Sequence, residues 1–317
     1  MGDVASILGV LSPSEYAALS LRALYAGRGY KPYRMSKFEE YDLYSVNKDF
    51  LVSSSVITFT DTDGRLMALK PDVTLSIIKN TADVKTGLNR IYYNENVYRV
   101  AKGTNSFKEI PQAGVECIGS IDRATLTEVL NLAVESLRTI TSEFVLEVSS
   151  LDVVNAVCKG LGLSDRATAE AFACLAAKNA GGLTSLAKAC DLDENKTRAL
   201  LGLAKVNGLV REVEGALNAL IIDDESRAVI EEFKAVIARI DEDKKDFVSV
   251  DFSVVNDRAY YNGIAFRGFV YGVATRVLSG GQYDKLMKKL GKSSCAIGFA
   301  VYLDEIGRVG GKYEQNA

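Results

Sequence analysis

Between about residues 150 and 244 the sequence changes character. Ala, Leu, Lys and Glu dominate in "AEAFACLAAKNA", "LTSLAKAC", "NKTRALLGLAKV" and "DESRAVIEEFKAVIARI", while the flanking segments are rich in short β-forming runs. Few architectures allow this, and the reading is a helical subdomain inserted between two parts of one sheet. On the near side, "RIYYNENVYRV" (90–100) and "QAGVECIGS" (112–120) read as strands separated by the polar loop "AKGTNSFKEIP". "VITFTDTDGRLMALKP" reads as a hairpin turning at Asp63-Gly64. On the far side "FVSVDFSVV", "TRVLSG" and "CAIGFAV" are strands, and "VVNDRAYYNGIAFRGFV" (254–270) alternates as a hairpin with Asn262-Gly263 as its turn. Helices are expected over about 13–27, where Ser12, Pro13 and Glu15 form a capping box with proline in the first turn, over 72–80, and over 122–140. With no regular βαβ alternation, the fold class is α+β, an antiparallel sheet flanked by helices.

Several function classes are excluded early. The 317 residues contain no histidine, so an imidazole base, a Ser-His pair or a His metal ligand is impossible on this chain. Five scattered cysteines, Cys117, Cys158, Cys174, Cys190 and Cys295, lack any C-x-x-C pair and read as reduced thiols. No apolar run is long enough to span a membrane and no basic segment precedes the first apolar stretch, which predicts a cytoplasmic protein. A net charge of -3 supplies no global attraction for nucleic acid. "KGLGLSD" lacks the third glycine of a dinucleotide site, "LGKSS" lacks the first glycine of a phosphate loop, and "DTDG" lacks the remaining ligands of a calcium loop.

The segments "FTDTDGRLMALKPDVT", "IYYNENVYRV", "EIPQAGVECIG", "YYNGIAF", "LSGGQYDKLMKKLG" and "AIGFAVYLDE", in that order, closely resemble the catalytic core of class II histidyl-tRNA synthetases over about 56–120 and 248–304. The resemblance implies one synthetase-like core over 1–317 and a pocket for histidine. In that pocket Asp72, Thr74 and Gln112 hold an α-ammonium group, with three oxygens able to accept its hydrogen bonds. Glu116 and one tyrosine of the Tyr260–Tyr261 pair, expected to be Tyr261, contact the imidazole ring. Consecutive strand side chains face opposite sides, so the other tyrosine covers the sheet or a partner. Gly280 and Gly281 allow close approach of backbone to ligand. Arg99 and Lys108 match cationic positions of the family's second motif.

Three departures redirect the functional reading. An arginine that stabilises charge during amino-acid activation is replaced by Asn256, a loss on the order of 3 to 4 kcal/mol in transition-state stabilisation. Arg258, roughly 6 to 7 Å along the same strand face, is the candidate to hold a carboxylate in an altered geometry. A phosphate-binding arginine is replaced by Glu305, which turns attraction for a triphosphate into repulsion. The sequence closes at Ala317, with no anticodon-binding domain expected and little to grip tRNA. With these departures the chain is similar to the regulatory-subunit family of ATP phosphoribosyltransferase. That resemblance implies a non-catalytic protein without cofactor or metal. It would form a homodimer within a larger hetero-oligomer, activate the short-form catalytic subunit in the first step of histidine biosynthesis, and take part in histidine feedback. An amino-acid-activating synthetase paralogue and a synthetase-like tRNA sensor are the alternatives.

Overall fold

Ser12 and Glu15 satisfy each other's backbone at the first helix: Glu15 N donates to Ser12 Oγ at 3.3 Å and Ser12 N donates to Glu15 Oε2 at 2.8 Å. The helix they open, α1 (Pro13–Gly27), buries Ala17, Ala18, Leu21 and Tyr25 on one face. This computed structural model describes residues 9–48, 51, 56–101, 106–255 and 260–307. After α1 come β1 (Lys31–Pro32), β2 (Phe38–Glu40), α2 (Tyr41–Ser45), β3 (Thr58–Thr60), β4 (Leu66–Leu69) and α3 (Val73–Asn80). The β3–β4 turn carries Gly64 at φ +81, the conformation for which the Asp-Gly pair was read as a turn. The long strands β5 (Leu88–Val100) and β6 (Phe107–Gly119) follow, then α4 (Arg123–Ile140) and β7 (Phe144–Ser150).

Next comes the helix-rich stretch, with α5 (Leu151–Gly160), α6 (Asp165–Ala176), α7 (Ala180–Ala189), α8 (Glu194–Leu203), β8 (Asn207–Leu209), α9 (Glu214–Asn218) and α10 (Asp224–Ala238). The chain then runs through β9 (Val248–Asp251), β10 (Asn262–Val270), β11 (Leu278–Gln282), α11 (Asp284–Lys289), β12 (Cys295–Tyr302) and α12 (Leu303–Ile306).

Among the described residues the main sheet has nine strands in the order β1-β5-β6-β12-β11-β10-β7-β9-β8, and a small second sheet has the order β2-β4-β3. Most pairs are antiparallel, but β1 with β5 and, farther across the sheet, β7 with β9 are parallel. A parallel pair needs a long crossover, and between β7 and β9 the helix-rich stretch supplies it. That stretch is not wholly helical, because β8 returns to the sheet and pairs with β9.

Side chains alternate along β6. Ala113, Val115 and Cys117 enter the larger core with residues of α1 and α4, whereas Ile118 enters a second core with α3 and α11 residues such as Leu75, Ile77, Leu286 and Met287. Gln112 and Glu116 therefore share the second face.

Two expectations fail for physical reasons. Asn262-Gly263 does not turn a hairpin: both residues open β10, whose register against β11 shifts between Asn262 and Ala265. Gly263 takes φ +63 in this bulge, and the side chain of Gln282 replaces the missing ladder partner by accepting from Ile264 N at 2.8 Å. The end of the "polar loop" after residue 100 is strand, since Phe107–Pro111 pair with Asn96–Val100. Pairing of β6 with β12 begins only at Gln112, so Phe107, Lys108 and Glu109 stand exposed beyond it and show no apolar alternation.

Candidate functional site

Asp72 opens the site. Its Oδ1 accepts from Leu75 N at 2.9 Å and so caps α3, which fixes the carboxyl at the helix start. Burial raises its pKa, while the Leu75 bond and the nearby Arg99 guanidinium oppose the rise. Arg99 is held there by donating from Nε to the Pro71 carbonyl at 3.0 Å.

In the first turn of α3, Thr74 Oγ1 donates to Glu116 Oε1 at 2.8 Å. The other carboxyl oxygen, Oε2, accepts from the hydroxyl of Tyr283 at 2.5 Å. Glu116 is 2% exposed, and burial pushes its pKa up to about 8; Asp72 adds to the rise, and the bonds from Tyr283 and Thr74 reduce it. No cation is among its hydrogen-bond or ion-pair partners within the described residues.

The floor beneath Glu116 is backbone. The register sets Glu116 beside Gly298 of β12, and Gly298 beside Gly281 of β11. A Cβ at Gly298 would overlap Glu116 Oε2, so the carboxyl can lie across the strand only because that residue is glycine. A Cβ at Gly281 would come within 2.8 Å of the Tyr261 ring. Gly280 faces the opposite side, toward Phe266 and Phe299 of the larger core.

The tyrosine pair divides differently from expectation. The two rings meet edge to face at 4.9 Å between centroids, and Tyr260 also lies 6.1 Å from the Tyr283 ring. Burial raises the Tyr260 pKa, as do the charges of Asp72 and Glu116, and its side chain hydrogen-bonds with Thr74. Tyr260 is thus the member that reaches the carboxyl pair, while Tyr261 covers Gly281. The structure brings together Asp72, Thr74, Glu116, Tyr260, Tyr261 and Gly281, with Gln112 buried on the same strand face and Arg99 at the edge. Asn256 and Arg258 lie outside the described residues.

Arg99 also borders a cleft of about 360 Å3 lined by Ile110, Arg267, Arg276, Tyr302 and Glu305 among others. Glu305 Oε2 accepts from Thr275 Oγ1 at 2.7 Å, and the Arg276 guanidinium stands 6.0 Å over the Tyr302 ring. Lys108, which with Arg99 matches a cationic position of the family's second motif, stands opposite Arg99 in the β5–β6 ladder and is exposed. Arg267 and Arg276 had no motif to announce them. Tyr283 and Gly298 stood inside segments that had been singled out, "LSGGQYD" and "AIGFAV", yet only the strand register shows that both touch Glu116.

The profile of the histidyl-tRNA synthetase family matches residues 14–306. The chain belongs to that family. Within it, the ATP phosphoribosyltransferase regulatory subunit of Acetivibrio thermocellus is 28% identical over 293 residues, covering 90% of this chain and 70% of that protein. The subunit of the same description from Caldanaerobacter subterraneus subsp. tengcongensis is 29% identical over 301 residues, covering 90% and 75%. Among solved structures, an ATP phosphoribosyltransferase regulatory subunit/histidyl-tRNA synthetase from Bacillus halodurans superposes with a TM-score of 0.82 at 24% identity, covering 96% of this chain and 80% of that one. A chain of the ATP phosphoribosyl transferase (HisG:HisZ) complex from Thermotoga maritima gives a TM-score of 0.69 at 16% identity, covering 92% and 97%. These likenesses agree with an α+β, synthetase-like sheet. No helix among the described residues is long and apolar enough to cross a membrane.

Proposed function

We propose that this member of the histidyl-tRNA synthetase family is a non-catalytic regulatory subunit of ATP phosphoribosyltransferase, with the Asp72–Glu116 pocket as its histidine site. The observation that carries the reading is the contrast between two neighbouring regions. The amino-acid pocket keeps its buried carboxyls, hydroxyls and glycine floor, while Glu305 places a carboxylate in the adjacent cleft, where the resemblance puts a cation for nucleotide phosphates. Relatives described as regulatory subunits, and the heteromeric Thermotoga maritima complex, support a catalytic partner. A homodimer within the larger assembly is part of the same proposal.

Regulation then is a coupling free energy. Assembly favours the active state of the short-form catalytic subunit, and histidine in the pocket favours a less active one. Phosphoribosyl-ATP formation by that subunit, measured with and without this chain at zero and saturating histidine, tests both parts. Activity that rises with the chain and falls with histidine is the expected result, and Glu116→Ala weakens the histidine effect. No change on adding the chain overturns the assignment. One observation favours a second reading: three arginines, Arg99, Arg267 and Arg276, line the cleft against two acids, Asp304 and Glu305. Histidine-dependent pyrophosphate exchange by the isolated chain would establish amino-acid activation instead.

A further inference from the structure

Among the described residues, the groups that enclose Glu116 lack a positive charge. From the start of α3 come Asp72 and the Thr74 hydroxyl; from β5, the Tyr93 phenol; from the segment before β10, Tyr260; from the residue ahead of α11, Tyr283; from β12, Gly298, which has no side chain. On β6 itself Gln112 shares its face, and the Cys117 thiol lies on the other. The charged group acting on it most closely is Asp72, and that charge is repulsive. Arg99 stands on the Pro71 side of Asp72 and moderates Asp72. With the described residues alone around it, a full negative charge on Glu116 would be a buried carboxylate beside a second acid, an arrangement that proteins resolve by keeping a proton.

We infer that Glu116 works as a neutral acid, and that the occupied pocket holds one proton between its carboxyl and a ring nitrogen of the ligand. This rests on the reading of the pocket as a histidine site. In the empty pocket the proton of Glu116 is donated to one of the two flanking hydroxyls, which turns to accept it. When an imidazole enters, the proton is redirected to the unprotonated ring nitrogen. Whether it stays on the carboxyl oxygen or crosses to the ring, the pair keeps one proton and no net charge appears in the buried site. A carboxylate accepting a ring N–H would instead require the proton to leave for solvent as the ligand arrives.

The two arrangements have opposite pH signatures. A free imidazole ionises near about 6.5, and burial puts the Glu116 carboxyl at about 8. Between these values the free partners together carry one proton, and so does the complex. Binding then exchanges none. Above that window the free carboxyl has lost its proton and binding must take one up, so affinity falls by about tenfold for each further pH unit. Below it the free imidazole carries an extra proton that must be shed, and affinity falls again.

Titration calorimetry of the full chain with histidine, in buffers of different ionisation enthalpy from pH 6 to 9, reads this directly. Expected are a maximum of affinity with no net proton exchange between the two values, and uptake of a proton on the alkaline side. Glu116→Gln supplies a neutral donor that cannot ionise. It should retain binding within about tenfold and lose the alkaline fall, which also controls for titration of the ligand's own amine. Tyr283→Phe removes a bond that favours the carboxylate and should move the alkaline limb to higher pH. Affinity that rises through pH 8 with release of a proton, together with loss of binding in Glu116→Gln, overturns the inference and leaves the histidine reading standing. Absence of histidine binding by the wild-type chain at every pH overturns both.

Discussion

Tyr44 is fully buried, and its hydroxyl has no hydrogen-bond partner among the described residues. Burial raises its pKa, and the charges of Glu39 and Asp72 raise it further, so the phenol stays neutral. An unsatisfied buried hydroxyl is a cost that phenylalanine does not carry. Tyr44→Phe is expected to stabilise the chain by about 1 kcal/mol, seen as a higher midpoint in urea at unchanged m-value. A lower midpoint would mean that the hydroxyl has a partner in solution. At this scale the sequence was informative where chemistry and motif coincided. Asp72, Thr74 and Glu116 come together because a carboxyl at a helix start and another on the facing strand are placed by local rules. The choice between Tyr260 and Tyr261 was not legible. Both residues precede β10, which begins at Asn262, so the alternation of a strand does not set which way each ring points.

Helix boundaries follow from capping chemistry and were readable to within a residue, as at α4, where Asp122 accepts from both Thr125 N and Thr125 Oγ1 at 2.8 Å. Those bonds hold the Asp122 carboxyl below its ordinary pKa. A depressed folded-state pKa means that the stabilisation is fully present above the unfolded value near 3.9 and is lost as pH falls through the lower folded value. Asp122→Ala should cost about 1 kcal/mol at pH 7. The gap between variant and wild type should close as pH drops below about 4, read from urea midpoints at several pH values. A gap that is constant with pH would show that the cap acts through its shape alone. Strand limits were less legible. Asn-Gly has the composition of a turn, and only the Gln282 side chain, 19 residues away, makes it a bulge. Likewise, Phe107–Pro111 look like a loop because their strand extends past the sheet that would have imposed a pattern.

The order of the strands is a property of the whole molecule, and pattern alone did not supply it. Composition showed two strand-rich regions around a helix-rich one. Which strands pair depends on long-range registers, including the parallel β7–β9 pair spanned by the helices. The last strand, β12, lies in the middle of the main sheet, between β6 and β11. Truncation after Ser294 is therefore expected to abolish cooperative unfolding rather than trim an edge, because it opens two unpaired ladders at the centre. Near-UV circular dichroism and a urea titration would check this, and a sharp transition in the truncated chain would contradict it. The same placement has a consequence during synthesis. Gly298 forms the floor under Glu116, so a nascent chain has no finished pocket until that strand has cleared the ribosome, and every shorter intermediate is blind to the amino acid whose supply the finished subunit is proposed to report.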